Sequence, residues 1–314
     1  MTEINSIERD VLIIGGGPAG LSASLWCADM GLRSVVLDRS PELGGQLLRI
    51  YNPIKNHIGF ETENGRELSG RFLESFKHVE HEHFVGIEIA DLDIDSMSLT
   101  IADNRRFIGR AIVAATGVRR RSLGVEGETR FAGKGILDSG ARQRKSAAGK
   151  RVAVIGGADA AVENALMLAE FAEKVILIHR GPELTAREEF VRRVIENPRI
   201  ETRFNAVVRG FSGDQSLDTI ELLDRATETA EDIAVDLAVI RIGVTPNSEL
   251  LRGKIELDEA GYAFVNSHYE TSASAVYAIG DLSNPTAPTI SGAVGSAATA
   301  VKSVNAYFAA RRFL

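Results

Sequence analysis

The stretch Arg9-Asp-Val-Leu-Ile-Ile-Gly-Gly-Gly-Pro-Ala-Gly20 is a short apolar run that breaks into glycines. A helical pattern of apolar residues follows, and a second apolar run, Ser34-Val-Val-Leu-Asp38, ends in an acid. Gly15, Gly17 and Gly20 form the pattern G-x-G-x-x-G. In that pattern the first glycine permits a tight turn, the second lets backbone approach a pyrophosphate, and the third lets helix and strand pack closely. Strand, turn, helix, strand and acid together predict the opening of a dinucleotide-binding sheet.

A second copy of this plan lies further along the chain. It begins at Lys150-Arg-Val-Ala-Val-Ile-Gly-Gly-Ala-Asp-Ala-Ala161 and ends at Val175-Ile-Leu-Ile-His179. The final histidine follows Gly156 by the same number of residues that separates Asp38 from Gly15. The sequence therefore predicts an α/β protein with two Rossmann-like dinucleotide-binding domains. Two such units imply two nucleotide sites, or one site and a relic.

The length, composition and net charge of the chain exclude several classes of function. The chain has 314 residues, enough for two domains, and 44% hydrophobic with 25% charged residues is an ordinary globular composition. The net charge of −7 argues against bulk binding to nucleic acid or to anionic membranes. Met1–Asp10 lacks the pattern of a signal peptide, and no run approaches the ~18 apolar residues of a membrane span. We expect a cytoplasmic protein.

The cysteine count is the most restrictive number in the composition. Cys27 is the single cysteine, so an internal disulfide, a CxxC redox pair and a cysteine-rich metal site are all excluded. The six histidines are scattered along the chain, and the sequence predicts no metal site. Cys27 falls on the helix face expected to pack against the sheet, which predicts a buried structural thiol.

Four further segments carry a family resemblance: Gly44-Gly-Gln-Leu47, Asn56, Ala115-Thr-Gly117 and Ala278-Ile-Gly-Asp281. Together with the glycine turns, they resemble the low-molecular-weight thioredoxin reductase family and its relatives, the ferredoxin/flavodoxin NADP reductases. The resemblance covers essentially the whole chain in order. It implies a flavoprotein that binds FAD and commonly forms a homodimer.

The resemblance also implies the domain order. Segments 1–118 and 245–314 would form a discontinuous FAD-binding domain, interrupted by an NAD(P)-binding-like domain at residues 119–244. The FAD pyrophosphate would lie at the first glycine turn, the adenosine ribose at Asp38 and the ribityl chain at Asp281. The full set of expected FAD-contacting residues is Gly15, Gly17, Pro18, Ala19, Gly20, Asp38, Arg39, Gly45, Gln46, Leu47, Asn56, Ala115, Thr116, Gly117, Gly280, Asp281, Thr289 and Ile290.

One departure from the family concerns its redox-active cysteines. Family thioredoxin reductases place a CxxC just before the second nucleotide motif, and Ser139 and Arg142 stand at the two cysteine positions here. Some relatives use one cysteine inside the first motif, where this chain has Ala19. Thiol–disulfide exchange requires a thiolate. We therefore expect no direct reduction of thioredoxin by this chain.

Further departures concern the second nucleotide site. Ala158 replaces the glycine that lets backbone approach a pyrophosphate, while Gly181 and Thr185 stand where the NADPH enzymes of the family carry arginines that clamp the 2′-phosphate. Arg187 lies nearby and could substitute if its loop shifts. NADH, weak NADPH use and no pyridine nucleotide all stay open, the last with this unit as a retained scaffold. The expected NAD(P) contacts are Gly156, Gly157, Ala158, Asp159, Ala160, His179, Arg180 and Arg187.

Two other features suggest chemistry around the flavin. The clusters Arg119-Arg-Arg121 and Arg142-Gln-Arg-Lys145 could attract an acidic carrier such as ferredoxin or flavodoxin, with a solvated loop as the alternative. His57 and Tyr51 fall where the family places the flavin ring, and ordinary packing is the alternative for both. No other catalytic residue is expected, because the flavin itself supplies the redox chemistry.

The sequence thus favours an FAD-dependent oxidoreductase that moves electrons without a protein dithiol. The first hypothesis is an NAD(P)H-linked ferredoxin/flavodoxin reductase or diaphorase. A second is a flavoprotein independent of pyridine nucleotides that takes electrons from a ferredoxin-like donor. A third is a flavin-binding sensor or interaction protein without turnover.

Overall fold

The chain divides into two compact units, Met1–Arg119 with Thr245–Leu314 as unit 1 and Arg120–Val244 as unit 2. The computed structural model describes residues 6–311. Within that range no helix is both long and apolar enough to cross a membrane.

The strands, in chain order, are β1 Ser6–Glu8, β2 Val11–Ile14, β3 Ser34–Leu37, β4 Glu82–Phe84, β5 Ile89–Asp93, β6 Ser98–Ile101, β7 Arg106–Ile108, β8 Ala111–Ala114, β9 Val118–Arg120, β10 Arg151–Ile155, β11 Lys174–Ile178, β12 Ile200–Arg203, β13 Ala206–Ser212, β14 Thr219–Asp224, β15 Ala230–Ala234, β16 Leu237–Ile240, β17 Val244–Pro246 and β18 Val276–Ala278.

Within residues 6–311 there are fewer helices than strands. The α-helices are α1 Pro18–Asp29, α2 Gly65–Glu74, α3 Gly140–Gln143, α4 Asp159–Ala169, α5 Glu188–Ile195 and α6 Ile290–Ala310. Short 3₁₀ turns are formed by Gly45–Arg49, Arg144–Ala147, Glu249–Leu251 and Gly280–Leu282.

Unit 1 is built around a five-stranded parallel sheet in the order β18-β8-β2-β3-β4. Its strands are buried on both faces, as expected of a parallel sheet covered on each side. Val11 and Ile13 point to one face, where α1 and α6 pack. Leu12 and Ile14 point to the other face, where a mixed sheet in the order β1-β7-β6-β5 supplies Leu92, Leu99 and Phe107. The unit therefore has three layers, with the parallel sheet in the middle.

The first predicted strand–turn–helix–strand unit is confirmed as β2, α1 and β3. Gly17 is the N-cap residue of α1 and Pro18 opens the helix, where the missing N–H of proline costs nothing. A Cβ atom at Gly20 would lie far inside van der Waals contact with the carbonyl of Gly15. Gly20 therefore lets α1 start directly against the glycine turn, as its place in the motif predicts.

Unit 2 repeats the three-layer plan with its own core. Its central sheet is parallel in the order β12-β11-β10-β16, and α4 packs on one face with Val162, Ala165 and Leu168. The antiparallel sheet β13-β14-β15 covers the other face. The second predicted unit is confirmed as β10, α4 and β11.

The chain passes between the units at two segments, and each segment contains a three-residue strand, β9 and β17. On the unit 1 side, Arg119 donates to the carbonyl of Pro246 at 3.3 Å. On the unit 2 side, the N–H of Arg121 donates to the carbonyl of Gly243 at 3.0 Å. A side-chain bond thus joins the two segments in unit 1, and a backbone bond joins them in unit 2.

Candidate functional site

A cavity of about 950 Å³ opens in unit 1 at the carboxyl end of its parallel sheet. Ile14 of β2, Leu37 of β3, and Ala115 and Ile279, which directly follow β8 and β18, all line it. Ligands of open α/β sheets bind at this edge of the sheet, where the strands end and the helices begin. The cavity is therefore the candidate cofactor site.

The first glycine turn forms one wall of the cavity. Gly15 has a φ angle of +106°, a conformation that side chains rarely adopt, and its N–H donates to the carbonyl of Leu37 at 2.8 Å. Gly45 faces Gly17 so closely that a Cβ atom at Gly45 would lie 2.8 Å from the Gly17 Cα atom. The opening between these two glycines adjoins the N-terminus of α1, whose free N–H groups and dipole attract anions. This glycine cradle fits a pyrophosphate.

Asp38 connects the glycine turn to the next loop. One of its carboxylate oxygens accepts a hydrogen bond from the N–H of Gly16, and the other accepts from the N–H of Ser40 at 2.7 Å. The side chain is only 8% exposed, and the residue lines the cavity. Asp38 therefore fixes two loops of the site, a role added to the ribose contact that the family resemblance implies.

A polar network forms a second part of the wall. The Thr116 hydroxyl donates to the carbonyl of Asn247 at 2.7 Å, and the Asn247 amide donates to the carbonyl of Thr116 at 2.8 Å. Arg119 donates to the Asn247 side-chain oxygen at 2.9 Å and pairs with Glu249 at 2.6 Å. All four residues line the cavity. The network joins the two parts of the sequence that make up unit 1.

The N-terminal end of α6 closes the far part of the cavity. The hydroxyl of Thr289, the N-cap residue, accepts from the N–H of Gly292 at 3.1 Å, and Thr289 and Ile290 both line the cavity. Asp281 lies beside them, and burial raises the pKa of its carboxyl group. A helix N-terminus carries partial positive charge. The site thus places a positive helix end and one acid next to each other.

Most of the predicted FAD contacts meet at this cavity. The predicted residues that line it are Gly15, Gly17, Pro18, Ala19, Asp38, Arg39, Gly45, Gln46, Leu47, Ala115, Thr116, Gly117, Asp281, Thr289 and Ile290. Their roles toward FAD stay predictions.

Three predicted contacts are not among the lining residues. A Cβ atom at Gly20 would collide with the carbonyl of Gly15, and one at Gly280 would lie 2.9 Å from the Cβ atom of Ala19. Both glycines therefore allow close packing of the residues that line the cavity. Asn56 lies in an exposed segment, and the asparagine that lines the cavity is Asn247.

Several lining residues escaped the sequence analysis. One group, Gly86 to Ile89, follows β4 at the edge of the parallel sheet and lies against the Asp38–Ser40 loop. Asn247, Glu249 and Leu250 follow β17. A signal was available for the first group, because a third parallel strand of a dinucleotide-binding sheet must end at the same edge. For Asn247 the sequence gives one local signal, because this residue directly follows β17, in the second segment where the chain passes between the units.

His57 and Tyr51 lie outside the lining residues. A His57 ring nitrogen is 3.3 Å from the Ser291 hydroxyl, and the ring meets Phe60 and Phe72 edge-on. Tyr51 is partly exposed. The structure therefore gives His57 a packing and hydrogen-bonding role beside the N-terminus of α6.

The glycine turn of unit 2 resembles that of unit 1 in its backbone. The N–H of Gly156 donates to the carbonyl of Ile178 at 2.9 Å, as Gly15 does to Leu37. The imidazole of His179 packs directly against Gly157, in the place that the Asp38 carboxylate takes beside Gly16. Burial and then the charge of Arg180 lower the pKa of His179. A neutral imidazole thus stands where unit 1 has a carboxylate.

The loop after β11 folds back onto this second turn. The N–H of Thr185 donates to the carbonyl of Gly157 at 2.9 Å. Arg187 donates to the Asp159 carboxylate twice, from its backbone N–H and from its Nε atom, each at 2.8 Å. That Arg187 could replace the missing phosphate clamp if its loop shifts stays a prediction, and in this arrangement its Nε atom is paired with Asp159. Arg180 is exposed, and Ala158 is the N-cap residue of α4.

The positions that the family resemblance matches to redox cysteines, Ser139 and Arg142, have a structural role here. Ser139 is buried, and its hydroxyl accepts from the N–H of Arg142 at 3.3 Å, which caps the short helix α3. Cys27 is fully buried in the core of unit 1, which confirms the prediction of a packed thiol. Burial raises the pKa of Cys27 to about 12. Within residues 6–311, no group of three or more His, Cys, Asp or Glu side chains is placed to hold a metal ion.

Comparison with known proteins agrees with this arrangement. The family described as pyridine nucleotide-disulphide oxidoreductase matches residues 9–303. Thioredoxin reductase of Bacillus subtilis (strain 168) is 29% identical over 299 residues, which cover 95% of this chain and 94% of that protein. An NADH dehydrogenase of the same organism is 31% identical over 298 residues, which cover 93% of this chain but only 57% of that protein.

Solved structures show the same architecture. Thioredoxin reductase of Lactococcus lactis (FR conformation) superposes with a TM-score of 0.86 at 27% identity, covering 96% of this chain and 99% of that chain. Thioredoxin reductase of T. acidophilum gives a TM-score of 0.83 at 27% identity, with the same coverage. The predicted fold, two Rossmann-like domains of the thioredoxin-reductase type, is confirmed.

Proposed function

Because this chain belongs to the pyridine nucleotide-disulphide oxidoreductase family, we propose that it is an FAD-dependent oxidoreductase that passes electrons to an external acceptor without a dithiol of its own. One observation carries this proposal. Ser139 and Arg142 stand at the positions of the family's redox cysteines, and the single cysteine, Cys27, is fully buried with a raised pKa. A buried, protonated thiol is inert. The chain would therefore not reduce thioredoxin by itself.

We propose FAD as the cofactor of the cavity in unit 1. The cradle of Gly17 and Gly45 at the N-terminus of α1 would hold the pyrophosphate, and Asp38 the adenosine ribose. Asp281 would accept from a ribityl hydroxyl. When bound, the flavin supplies hydride acceptance and release of single electrons.

The chain's own residues would set the environment of the reacting ring. The positive end of α6, capped by Thr289, would stabilise negative charge that develops on the cofactor. Ile290 and Leu47 would cover apolar surface and exclude water, since both line the cavity. His57 bonds the first turn of α6 and would act by positioning that turn.

The reaction we favour is that of an NAD(P)H-linked ferredoxin/flavodoxin reductase or diaphorase. One reduced nucleotide and two oxidised one-electron carriers would give one oxidised nucleotide, one proton and two reduced carriers. The retained glycine turn of unit 2, with Gly156 and Gly157 in place before α4, supports a pyridine nucleotide as donor.

A second candidate has its own supporting observation. Thr185 and Arg187 are both bonded to the second glycine turn, and the Arg187 guanidinium is paired with Asp159. An arginine that already pairs with a carboxylate gains less free energy from binding a 2′-phosphate. If a nucleotide is the donor, this pairing favours NADH over NADPH. The second candidate is a flavoprotein that takes its electrons from a ferredoxin-like donor and uses no pyridine nucleotide.

An anaerobic reduction experiment separates these candidates. The purified yellow protein is mixed with NADH or NADPH, and flavin absorbance is followed. Fast bleaching by a nucleotide is expected for the first candidate. Bleaching by reduced ferredoxin but by neither nucleotide would replace it with the second. Protein that carries no flavin would contradict both.

A further inference from the structure

We propose that the guanidinium groups of Arg120 and Arg241 anchor an acidic one-electron carrier protein on unit 2. This inference rests on the proposed function, because it names the surface through which the acceptor would be recognised. The two arginines lie 121 positions apart in the sequence, and the fold brings them together.

The two side chains meet at Asp138, the residue before the buried Ser139. Arg120 donates from Nη1 to both the carbonyl and the carboxylate of Asp138, the latter at 3.2 Å. Arg241 donates from Nη2 to the same carbonyl at 3.2 Å and from Nη1 to the carbonyl of Ile240 at 2.7 Å. Two guanidinium groups therefore converge on one carbonyl oxygen.

This arginine pair is under-neutralised. The Asp138 carboxylate forms its ion pair with Arg120, whereas the hydrogen bonds of the Arg241 guanidinium run to carbonyl oxygens. Arg241 is half-buried, and burial, followed by repulsion from Arg120, lowers its pKa to about 10. Arg241 therefore stays charged at neutral pH. An added carboxylate would supply the charge that the pair lacks.

Other arginines in the molecule are matched with acids. Arg119 pairs with Glu249, Arg187 with Asp159 and Arg203 with Glu201, at N–O distances between 2.6 and 2.8 Å. Arg130 and Arg199, like Arg241, donate to carbonyl oxygens instead. Arg241 differs from them because a second guanidinium, that of Arg120, bonds the same carbonyl oxygen.

Further exposed basic residues lie close to the pair in the sequence, which favours a protein over a small anion. Arg142, Arg144 and Lys145 follow Asp138 closely in the sequence and are exposed, as is Arg121 beside Arg120. The chain as a whole carries a net charge of −7. A basic surface on an acidic molecule orients an acidic partner during its approach and speeds association. One phosphate could contact only part of this set.

The test compares two double variants of the FAD-loaded protein. In R120Q/R241Q the pair is removed, and in R192Q/R193Q the same charge is removed from two exposed arginines of α5. The probe is an acidic [2Fe–2S] ferredoxin. Binding of its oxidised form is measured by calorimetry at an ionic strength of about 10 mM and again at about 150 mM, and reduction kinetics are measured alongside.

We expect R120Q/R241Q to weaken ferredoxin binding about tenfold or more at low ionic strength, while R192Q/R193Q stays within about twofold of wild type. Electron transfer to neutral 1,4-benzoquinone should be the same in all three proteins. Equal loss in both variants, or no loss in R120Q/R241Q, would overturn the docking site. So would a selective rise in the KM for NADH or NADPH in R120Q/R241Q, because the pair would then serve a nucleotide phosphate. Calorimetry needs no turnover, so failure of the docking site is distinguishable from failure of the proposed function.

Discussion

Cys27 packs under α1 in the core of unit 1, and its thiol has no exposed surface. Burial raises its pKa to about 12, whereas an exposed thiol titrates near 8.5. Below its native pKa the folded protein therefore holds the thiol protonated. A protonated, inaccessible sulfur can neither attack a disulfide nor relay electrons.

Replacing Cys27 by alanine tests this view at the level of one residue. We expect Cys27→Ala to leave the rate of flavin reduction unchanged and to lower the free energy of unfolding by about 1 kcal/mol, because a small buried group is removed. Steady-state assays and urea unfolding measure the two quantities. A large loss of electron transfer with an intact flavin spectrum would contradict the account.

The thiol should also be unreactive in the native protein. At pH 8 a group with a pKa of about 12 is ionised in about one molecule in ten thousand. Ellman's reagent should therefore modify Cys27 only after unfolding. Raising the pH from about 9 toward 12 should destabilise the fold, because the unfolded chain loses this proton first. Rapid native modification at pH 8 would show that the thiol is accessible.

Asp38 offers a second residue-scale prediction. Both carboxylate oxygens accept hydrogen bonds from backbone N–H groups, so Asp38→Asn would place an amide donor against one of these donors. We expect the free energy of unfolding to fall by about 2 kcal/mol and FAD to bind more weakly. Asp29→Asn, at the exposed end of α1, is the matched control. Equal stability and FAD affinity in both variants would contradict the role of Asp38.

Single residues differ in how far the sequence reveals them. Asp38 was predicted because its distance from the glycine turn is repeated in the motif, and the resemblance located Ser139. Asn247 was missed because its function depends on Thr116, which is distant in sequence and adjacent only in the fold. Asn56 was placed by resemblance alone, and it is exposed outside the cavity lining.

At the scale of elements, the two glycine turns share a backbone but differ in what lies against them. Asp38 holds the first turn, while His179 and the loop carrying Thr185 and Arg187 cover the second. We expect this difference to set which dinucleotide each turn binds. A carboxylate suits ribose hydroxyls, and we propose that a neutral imidazole beside a paired arginine recognises a 2′-phosphate weakly.

Restoring the family residues at the second turn should raise activity with NADPH. We expect A158G/G181R to increase kcat/KM for NADPH about tenfold, because a new guanidinium can bind the 2′-phosphate bidentately. A Cβ atom at position 181 would lie 2.9 Å from the His179 Nε2 atom, so the imidazole must shift slightly. The control A158G/G181Q carries a long side chain without charge. Equal gains in both variants, or unchanged kinetics, would show that this turn acts only as a scaffold.

The elements that the sequence revealed are those with strong local signals. β2, α1 and β3, and their counterparts β10, α4 and β11, combine apolar runs with a glycine turn. The covering sheets, β5-β6-β7 and β13-β14-β15, were not predicted. Their strands pair with sequence neighbours as antiparallel hairpins, but they are partly exposed and lack the glycine turn that marks the parallel units.

At the scale of the whole molecule, each of the two units contains one of the two sequence motifs and the candidate site that belongs to it. Unit 1 contains the large cavity and nearly all predicted FAD contacts, and unit 2 contains the second turn and the arginine pair. The cysteine count decides between activities that share this fold. The fold is that of thioredoxin reductases, but the single thiol of this chain is buried. We therefore expect the flavin to be the one redox centre.

Counting electrons tests that claim most directly. An anaerobic titration with dithionite measures how many electron equivalents the FAD-loaded protein takes up before the flavin is fully bleached. A flavin alone accepts about two electrons, whereas a flavin with a redox-active disulfide accepts about four. The account predicts about two per bound FAD, in wild type and in Cys27→Ala alike. An uptake of about four would contradict it.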